Sequence, residues 1–327
     1  MWDFPHLQLT VLSSFGFLAW LVLVTDFSWP QVLVPVLLGA SMLYQGWLIY
    51  PYTPLGGVQV IRARRAQPER NPNAIRLLIA NVLMTNTQCP KVLALARKHE
   101  PDVVLILEAN EQWRRELSEL EDAYPHRKLY PLENTYGMLL YSKLPMHDTE
   151  LRFMIQEDIP SIHTQFELPS GLRVFFHGVH PMPPSPTEHY RSTERDAELL
   201  LVGKETRRHG GPTIVAGDLN DVAWSHSTRL FQRISGLLDP RVGRGLYSTF
   251  NANYFFLRWP LDHVFVSHHF RLQRLRRLPN CGSDHFPILV SLVYDPDAER
   301  ATEAPRPEKD DIREARETIE EARESEA

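Results

Sequence analysis

The stretch 214–220 (Ile-Val-Ala-Gly-Asp-Leu-Asn) places an acid and an amide directly after a short apolar run. Such a pattern is typical of a buried strand that delivers polar side chains at its end. Residues two apart on a strand share a face, so Asp218 and Asn220 are expected to point the same way. A carboxylate beside an amide suits a site that handles water, a metal ion and a phosphoryl oxygen. Both residue types also cap helices and form turns, so this stretch alone leaves two interpretations open.

Other apolar runs in the chain end in the same kinds of residue. Each end carries an oxygen ligand or an imidazole, and together they are Asn81, Glu108, His180, Asp218, Asn220, Asp262, Asp284 and His285. Any one of them is explained by a capped strand or a satisfied polar residue. Eight such coincidences over some two hundred residues indicate one shared site.

The elements that would carry these residues follow from apolar periodicity and from breaks at Gly and Pro. Helices are predicted over 91–99, 111–121, 190–208 and 225–235. Strands are predicted over 75–81, 103–108, 136–142, 171–180, 214–220, 261–266 and 288–294. Strands and helices alternate early, and strand pairs follow later. This order favours an α/β fold in which two sheets pack face to face with helices outside.

Two charge-free segments precede this domain, at 4–25 and 27–61. Each is long enough for a membrane-spanning helix, and a hairpin over 1–55 with helices at about 7–25 and 31–50 is predicted. A signal peptide fits less well because no basic region precedes the first segment; a buried core hairpin is the other alternative. The arginines at 62, 64, 65 and 70 follow the second segment, so the positive-inside rule predicts a cytoplasmic N-terminus and domain.

Composition argues against a collagen-like chain, a repeat protein and a disulfide-stabilised scaffold. The chain of 327 residues has 43% apolar residues, two widely separated cysteines and a net charge of -5. Thirteen acids and six bases fall within 295–327, which leaves residues 1–294 with a net charge of about +2. The chain therefore has no overall basic field that would require nucleic acid as a partner.

The domain boundaries follow from the same composition. Residues 56–73 are predicted to be a linker, 74–295 a catalytic domain, and 296–327 a charged tail that is largely disordered or a solvated helix.

In their order along the chain, several motifs resemble those of the endonuclease/exonuclease/phosphatase superfamily. The matching pieces are Ile79-Ala80-Asn81, Leu107-Glu108, 137–142, Val179-His180, 217–220, 261–266 and Ser283-Asp284-His285. They cover about residues 75–294. The resemblance implies a four-layered α/β sandwich, and the hydrophobic hairpin makes the chain look like the membrane-attached bacterial branch, located in the inner membrane.

The resemblance also implies a divalent ion at one end of the sheets. Glu108 would be its principal ligand, with Asn81 beside it and Asp284 nearby. Oxygen ligands of this kind suit Mg²⁺ or Mn²⁺. The family often has an acid two residues after the first Asn, and Leu83 stands there in this chain, so the number of metal ions stays open.

The remaining residues would handle protons and the phosphoryl group. By the same resemblance, His285 would contact the scissile phosphate or act as general base, and Asp262 would orient it. Asp218 would position or deprotonate the attacking water, and Asn220 would hold that water and a phosphoryl oxygen. His180 would stabilise developing charge or assist the leaving group. These roles meet the needs of phosphoester hydrolysis, which are an aimed water, charge neutralisation and proton transfer.

The substrate is less well determined by the sequence. A basic stretch at 271–277 and aromatic residues over 247–259 suit either a nucleic acid or an anionic bilayer, and an ordinary solvated strand face explains the arginines equally well. The favoured hypothesis is a membrane-anchored, metal-dependent nuclease-like phosphodiesterase. The alternative is a lipid head-group or inositol phosphate phosphatase or phosphodiesterase, and a non-catalytic membrane scaffold is the third.

Overall fold

The computed structural model describes residues 3–24, 28–63, 71–183, 192–298 and 302–325. The helices are α1 (His6–Leu23), α2 (Trp29–Ile49), α3 (Cys89–His99), α4 (Glu111–Glu116), α5 (Thr193–His209), α6 (His226–Ser235) and α7 (Lys309–Ser325). The strands are β1 (Ala74–Asn81), β2 (Val103–Leu107), β3 (His126–Tyr130), β4 (Met138–Ser142), β5 (Met146–Arg152), β6 (Ser161–Glu167), β7 (Arg173–Val179), β8 (Thr213–Asp218), β9 (Asp262–Val266), β10 (Phe270–Arg277) and β11 (Ile288–Tyr294).

These strands form two mixed sheets that pack face to face. The first has the order β10-β11-β1-β2-β4-β3, and the second has the order β5-β6-β7-β8-β9. Only the neighbours β1/β2 and β7/β8 run parallel among the pairs within the described strands. Leu77, Leu105, Phe176 and Ile214 belong to one buried cluster between the sheets. Apolar burial between the two facing sheets is therefore the main source of stability of the domain.

Helices cover the outer faces of both sheets. Val92 and Trp113, on α3 and α4, pack with Val104 of the first sheet. Phe231 of α6 packs with Val215 of the second sheet. The predicted fold class, a four-layered α/β sandwich preceded by two apolar helices, is confirmed.

The two N-terminal helices form an antiparallel hairpin. They span 18 and 21 residues and are apolar enough to cross a membrane by length and composition, and little of their surface is buried within the chain. Their domain-side ends dock on the sandwich, where Tyr52 donates a hydrogen bond to the carbonyl of Ala223 (2.6 Å) and Trp224 Nε1 donates to the carbonyl of Asp3 (2.6 Å). Within the described residues, the hairpin is therefore attached to the domain at the end that carries Asp3 and Tyr52.

The segment expected to be a linker differs from that expectation in its first part. Val60 is fully buried, and Leu272 of β10 exchanges backbone hydrogen bonds of 2.9 Å with Ile61 and Ala63. This pairing covers the edge of the first sheet with a short extra stretch of chain, which protects an exposed edge strand. Residues 64–70, with three of the four arginines used for the topology argument, lie outside the described residues.

The predicted solvated tail is also corrected by the structure. Helix α7 packs on α5 and α6, where Ala315, Ile319 and Ala322 are buried against Leu200 and Ile234. Arg233 of α6 donates two hydrogen bonds of 2.9 Å to the carboxylate of Asp311. The spacing of these three apolar residues gives the helix a narrow apolar stripe, which its strongly charged composition concealed.

Replacement of Ile319 by alanine should lower the free energy of unfolding by about 2 to 5 kcal/mol, because it removes buried methyl groups from the α5–α6–α7 interface. Ile312 lies on the same helix with 46% of its surface exposed, so Ile312→Ala is a matched control with an expected cost of at most about 0.5 kcal/mol. Thermal denaturation of the full chain in a neutral detergent measures both. Equal effects of the two variants would contradict the docked position of α7.

A buried carboxyl group on α5 should make stability depend on pH. Glu198 is 4% exposed, its Oε1 has no hydrogen-bond partner in the described structure, and burial raises its pKa to about 8. The unfolded carboxyl ionises near pH 4.5, so the folded state loses relative stability as the pH rises from about 4.5 to about 8. Glu198→Gln should melt above the wild type at pH 9 and close to it at pH 5. A constant difference across this range would contradict the assignment.

Candidate active site

Two polar side chains meet where β1 and β8 end. Ile79 and Ala216 face the buried layer between the sheets, and Asn81 and Asp218 lie two residues further along the same strand faces. Asn81 Nδ2 donates a hydrogen bond of 3.1 Å to Asp218 Oδ2. This contact joins the two sheets at the open end of the sandwich.

Gly217 lets β8 approach the end of β7. Its φ is 154°, and a Cβ atom at this position would lie 1.8 Å from the carbonyl oxygen of Val179. No other residue fits that space without a shift of backbone. The glycine therefore brings Asp218 close to His180, the residue that follows Val179.

One imidazole lies between two carboxylates and contacts both of them. Asp218 and Asp262 lie directly opposite each other on the antiparallel strands β8 and β9. His285 places Nδ1 at 2.8 Å from Asp262 Oδ2 and Nε2 at 3.4 Å from Asp218 Oδ2. Burial alone would lower the pKa of His285, but the charges of Asp262 and Asp218 outweigh it and raise that pKa to about 10.

Glu108 stands on the other side of Asn81. Its backbone has a φ of 56°, a left-handed conformation that is costly for a residue other than glycine and is found preferentially at functional sites. Glu108 Oε1 accepts a hydrogen bond of 2.7 Å from Asn81 Nδ2. Burial raises the pKa of Glu108 to about 7; the hydrogen bond from Asn81 opposes this rise, and the charges of Asp218 and Asp284 add to it.

This accumulation of carboxylates fits a hard divalent cation. Glu108, Asp284 and Asp218 concentrate negative charge in a place where water cannot fully solvate it, and a bound cation would offset that charge. Asn81 Oδ1 accepts a hydrogen bond of 3.1 Å from the backbone of Leu83. An amide oxygen has two lone pairs, so this contact leaves one acceptor position available.

Asp218, Asp262 and His285 also bring ligand atoms within 4.8 Å of one another, a spacing that suits a metal ion. Both ring nitrogens of His285 already face these two carboxylates. This trio can therefore transfer protons, and the carboxylate side chains around Glu108 could hold a cation.

Asn220 and His180 complete the set of sequence-predicted residues. Asn220, with a φ of 51°, donates from its backbone to Asp218 Oδ1 (2.9 Å) and from Nδ2 to the carbonyl of Pro181 (3.0 Å). His180 is 3% exposed, packs against the ring of Tyr136 and has no partner for Nδ1 in the described structure. Burial lowers its pKa, although the charge of Asp218 opposes this shift.

Arg195 supports this site and was not singled out in the sequence. This α5 residue is 5% exposed, pairs with Asp196 (2.8 Å) and Asp221 (3.3 Å), and donates a hydrogen bond of 2.9 Å to the carbonyl of Asn220. It therefore fixes the turn that carries Asn220. Its sequence neighbourhood is a highly charged helix, in which one buried arginine has no distinguishing signal.

A second buried support lies behind Asp262. Arg241 pairs with Asp239 (2.7 Å) and contacts His263 Nδ1 (2.6 Å), and His263 Nε2 lies 2.9 Å from the carbonyl of Asp221. Burial holds the pKa of His263 well below its usual value, and Arg241 contributes to this shift. The neutral imidazole thus connects β9 with the turn after β8.

Residues 79–285 match the model of a family described as the Endonuclease/Exonuclease/phosphatase family. The chain belongs to this family. The resemblance found in the sequence is thereby confirmed, and the matched region begins just before Asn81 and ends at His285. Membership makes the chain a hydrolase that acts on phosphoester bonds.

Similar proteins and structures agree with the family assignment. A UPF0294 protein of Vibrio cholerae is 23% identical over 279 residues, which cover 79% of this chain and 96% of the relative. The human Nocturnin catalytic domain with a bound sulfate anion has a TM-score of 0.56 and 17% identity, covering 68% of this chain and 95% of that one. D. rerio TDP2 complexed with a single-strand DNA product has a TM-score of 0.55 and 16% identity, covering 67% and 98%. At these identities the structural likenesses establish a shared fold.

Replacement of Gly217 by alanine should lower the free energy of unfolding by about 3 kcal/mol or more, because the new methyl group overlaps the backbone of Val179 at a strained φ. Gly57 is exposed, and a Cβ atom at this position would have no other atom within 4 Å. Gly57→Ala should therefore change the free energy of unfolding by at most about 0.5 kcal/mol. Thermal melting of both full-length variants measures the difference. A Gly217→Ala variant as stable as the wild type would exclude the close approach of β8 to β7.

Proposed function

We propose that this chain is a membrane-anchored, divalent-metal-dependent phosphodiesterase that hydrolyses its substrate by in-line attack of water. The observation that carries the proposal is the arrangement around Asn81. This amide lies between Glu108 on one side and Asp218 on the other, and Asp218 continues into His285 and Asp262. A charge-rich cation side and a proton-handling side therefore face the same gap at the end of both sheets.

The residues on the proton-handling side have separable tasks. Asp218 accepts a proton from, or aims, the attacking water, and Asn220 holds that water and a phosphoryl oxygen. Asp262 accepts a hydrogen bond from Nδ1 of His285, which fixes the ring and directs Nε2 toward the reacting group. His180 stabilises the charge that develops or assists the leaving oxygen, since its buried imidazole retains an unused nitrogen.

Glu108, Asn81 and Asp284 would hold the cation, which we propose to be Mg²⁺ or Mn²⁺. When bound, the ion supplies neutralisation of the phosphoryl oxygens. The chain supplies the dry surroundings, since Asn81, Asp218, Asp262 and His285 are each less than 5% exposed. Charge interactions in such surroundings are stronger than in water.

Nucleic acid is the favoured substrate. The fold serves several phosphoesters, so the argument comes from the walls of the site. Lys98, Arg276 and Arg277 line a cavity beside Phe286, the residue that follows His285, and a basic surface of this kind suits the phosphate backbone of a polynucleotide. The solved structure of D. rerio TDP2 holds a single-strand DNA product, which supports this choice by analogy of fold.

A lipid head group is the second candidate, and one observation favours it. Phe4, just before α1, contacts the ring of Trp259 (5.9 Å); Trp259 stacks on Phe250, which lies 4.9 Å from the ring of His285. The contacting rings of Phe4, Trp259 and Phe250 thus connect the start of the hairpin with the side chain of His285. If α1 and α2 span a bilayer, the site opens close to its surface.

We place the hairpin in a bacterial inner membrane with the domain in the cytoplasm. The first turn of α1 lies beside Arg244 and Arg258. Near the domain-side end of α2, Arg229 of α6 lies over the ring of Trp47 (5.8 Å). The positive-inside rule favours the cytoplasm for such a surface.

The full chain in neutral detergent, assayed with Mg²⁺, should cleave bis-p-nitrophenyl phosphate and plasmid DNA, lose activity in EDTA and regain it with added Mg²⁺. Asp218→Ala and His285→Ala should each lower kcat by about 100-fold or more. Asp122 is exposed and His126 lies on the edge strand β3, so Asp122→Ala and His126→Ala are matched controls with nearly unchanged rates.

Activity on phosphoinositide vesicles alone would transfer the assignment to lipid head groups with the same residues. A folded chain that is inactive on all three substrates and binds no Mg²⁺ would contradict the enzymatic proposal. Activity that survives both substitutions would show that a contaminant is responsible.

A further inference from the structure

An open cavity of about 650 Å³ lies between the first turn of α1 and the loops beside the active site. Segments 244–248 and 255–258 and the end of β10 form its other walls. Its polar lining includes Gln8, Arg244, Arg258, Arg276 and Arg277. None of the residues assigned to catalysis or to the cation lines it. It is therefore a separate feature of the surface.

The charge of this cavity is unbalanced. Within the described residues its lining contains four arginines and no acidic side chain. Arg258 lies over the rings of Phe255 (5.2 Å) and Phe286 (5.0 Å), and Arg277 donates to the carbonyl of Ser248 (2.6 Å). Rings and carbonyls orient guanidinium groups and carry no net charge, so the cavity attracts an anion.

Arg244 shows the same imbalance at the buried end. It donates to the carbonyls of Val60 and Pro240, the latter at 3.0 Å, while its Nε atom is buried without a partner in the described structure. An unsatisfied buried donor on a cation is costly. A phosphate oxygen is a suitable acceptor for such a donor.

The other walls are apolar and lead toward α1. Phe255 and Phe256 are 72% and 82% exposed, and Gln8 Nε2 of α1 donates to the carbonyl of Phe256 (3.0 Å). Beyond Leu7, the surface of α1 continues with exposed apolar side chains such as Phe15. Aromatic and arginine side chains at the end of an apolar helix are typical of the interface between a bilayer and water.

We propose that this cavity binds the phosphate head group of an anionic phospholipid whose acyl chains lie along α1. The inference rests on the proposed membrane anchoring, since only a bilayer around α1 brings such a lipid to the cavity. A polynucleotide does not suit this cavity. When α1 lies in a bilayer, the apolar wall of the cavity faces the lipid phase, which excludes a polyanion. A bound lipid would hold the segment 250–259, which contacts His285 and Asp284 through Phe250 and Ala252.

A neighbouring cavity of about 420 Å³ provides an internal control. It shares Arg276 and Arg277, and its other walls come from Lys98, His99, Leu278, Pro279 and Phe286. A basic track for nucleic acid would use both cavities. A lipid site would use the cavity beside α1.

The test uses the full chain in dodecyl maltoside, titrated with dioleoyl phosphatidylglycerol or dioleoyl phosphatidylcholine and followed by native mass spectrometry and melting temperature. Phosphatidylglycerol should bind saturably and raise the melting temperature, and phosphatidylcholine should do neither. In Arg258→Gln/Arg276→Gln the apparent Kd for phosphatidylglycerol should rise about tenfold or more. The double variant Lys98→Gln/Arg173→Gln removes the same charge elsewhere and should stay within about twofold of the wild type.

Three results would overturn the proposal. They are the absence of saturable phosphatidylglycerol binding, an equal loss in both double variants, and displacement of the lipid by a single-stranded oligonucleotide that itself loses affinity in Arg258→Gln/Arg276→Gln. Arg244 also ties backbone carbonyls, so it is not part of the deciding variant. Release of the chain from membranes by alkaline carbonate would refute the anchoring, and loss of hydrolysis would refute the enzymatic proposal; both are measured separately from lipid binding.

Discussion

Asp218 and Asp262 are buried directly opposite each other on neighbouring strands. Two such carboxylates destabilise the fold unless a positively charged side chain lies between them. Like charges at a cross-strand pair repel, and burial removes the water that would screen them. The His285 imidazole lies between them and contacts both carboxylates. This contact forms only if three features fit together. They are the register of β8 and β9, the corner at 282–285, and the position of the first sheet relative to these two strands.

Asn81 extends the same constraint to the other sheet. Its amide donates to Glu108 and to Asp218, so a shift of one sheet against the other would break both contacts. Behind the carboxylates, Arg195 and Arg241 hold the turn after β8 and the start of β9 through buried pairs with acids. Breaking such pairs is costly because it leaves an uncompensated charge. The rigidity that hydrolysis requires thus comes from charges that have no direct part in it.

The strands that carry the site were predictable because they are buried on both faces. The range of β2 is a continuous apolar run, and Arg76 and Ser291 are the polar residues inside the apolar runs of β1 and β11. The strand β11 was predicted with the bounds that the structure shows. The strands β3, β5, β6 and β10 were not among the predicted strands. They contain charged residues and histidines, since β3 and β5 lie at sheet edges and His163 of β6 faces a polar layer with His177.

For the candidate site, the sequence indicates which polar residues follow apolar strands, and it indicates much less about the contacts between them. An acid or amide after an apolar run gives a visible signal, so the eight residues could be singled out. The role of Asn81 as a bridge depends on where two distant strand ends meet, which no local pattern encodes. Arg195 and the apolar stripe of α7 were missed because burial of a few residues in a charged helix depends on the partner surface.

The position of β1 between β2 and β11 has a consequence for biosynthesis. About two hundred residues separate the end of β1 from the start of β11, its neighbour in the sheet. At a translation rate of roughly 5–20 residues per second, about 10 to 40 seconds pass between the synthesis of β1 and the synthesis of β11. During this time one edge of β1 lacks its neighbouring strand. Throughout this interval an apolar strand with unpaired backbone groups is exposed to other nascent chains. The domain therefore completes its central sheet, and with it the site around Asn81, only after β11 has been synthesised.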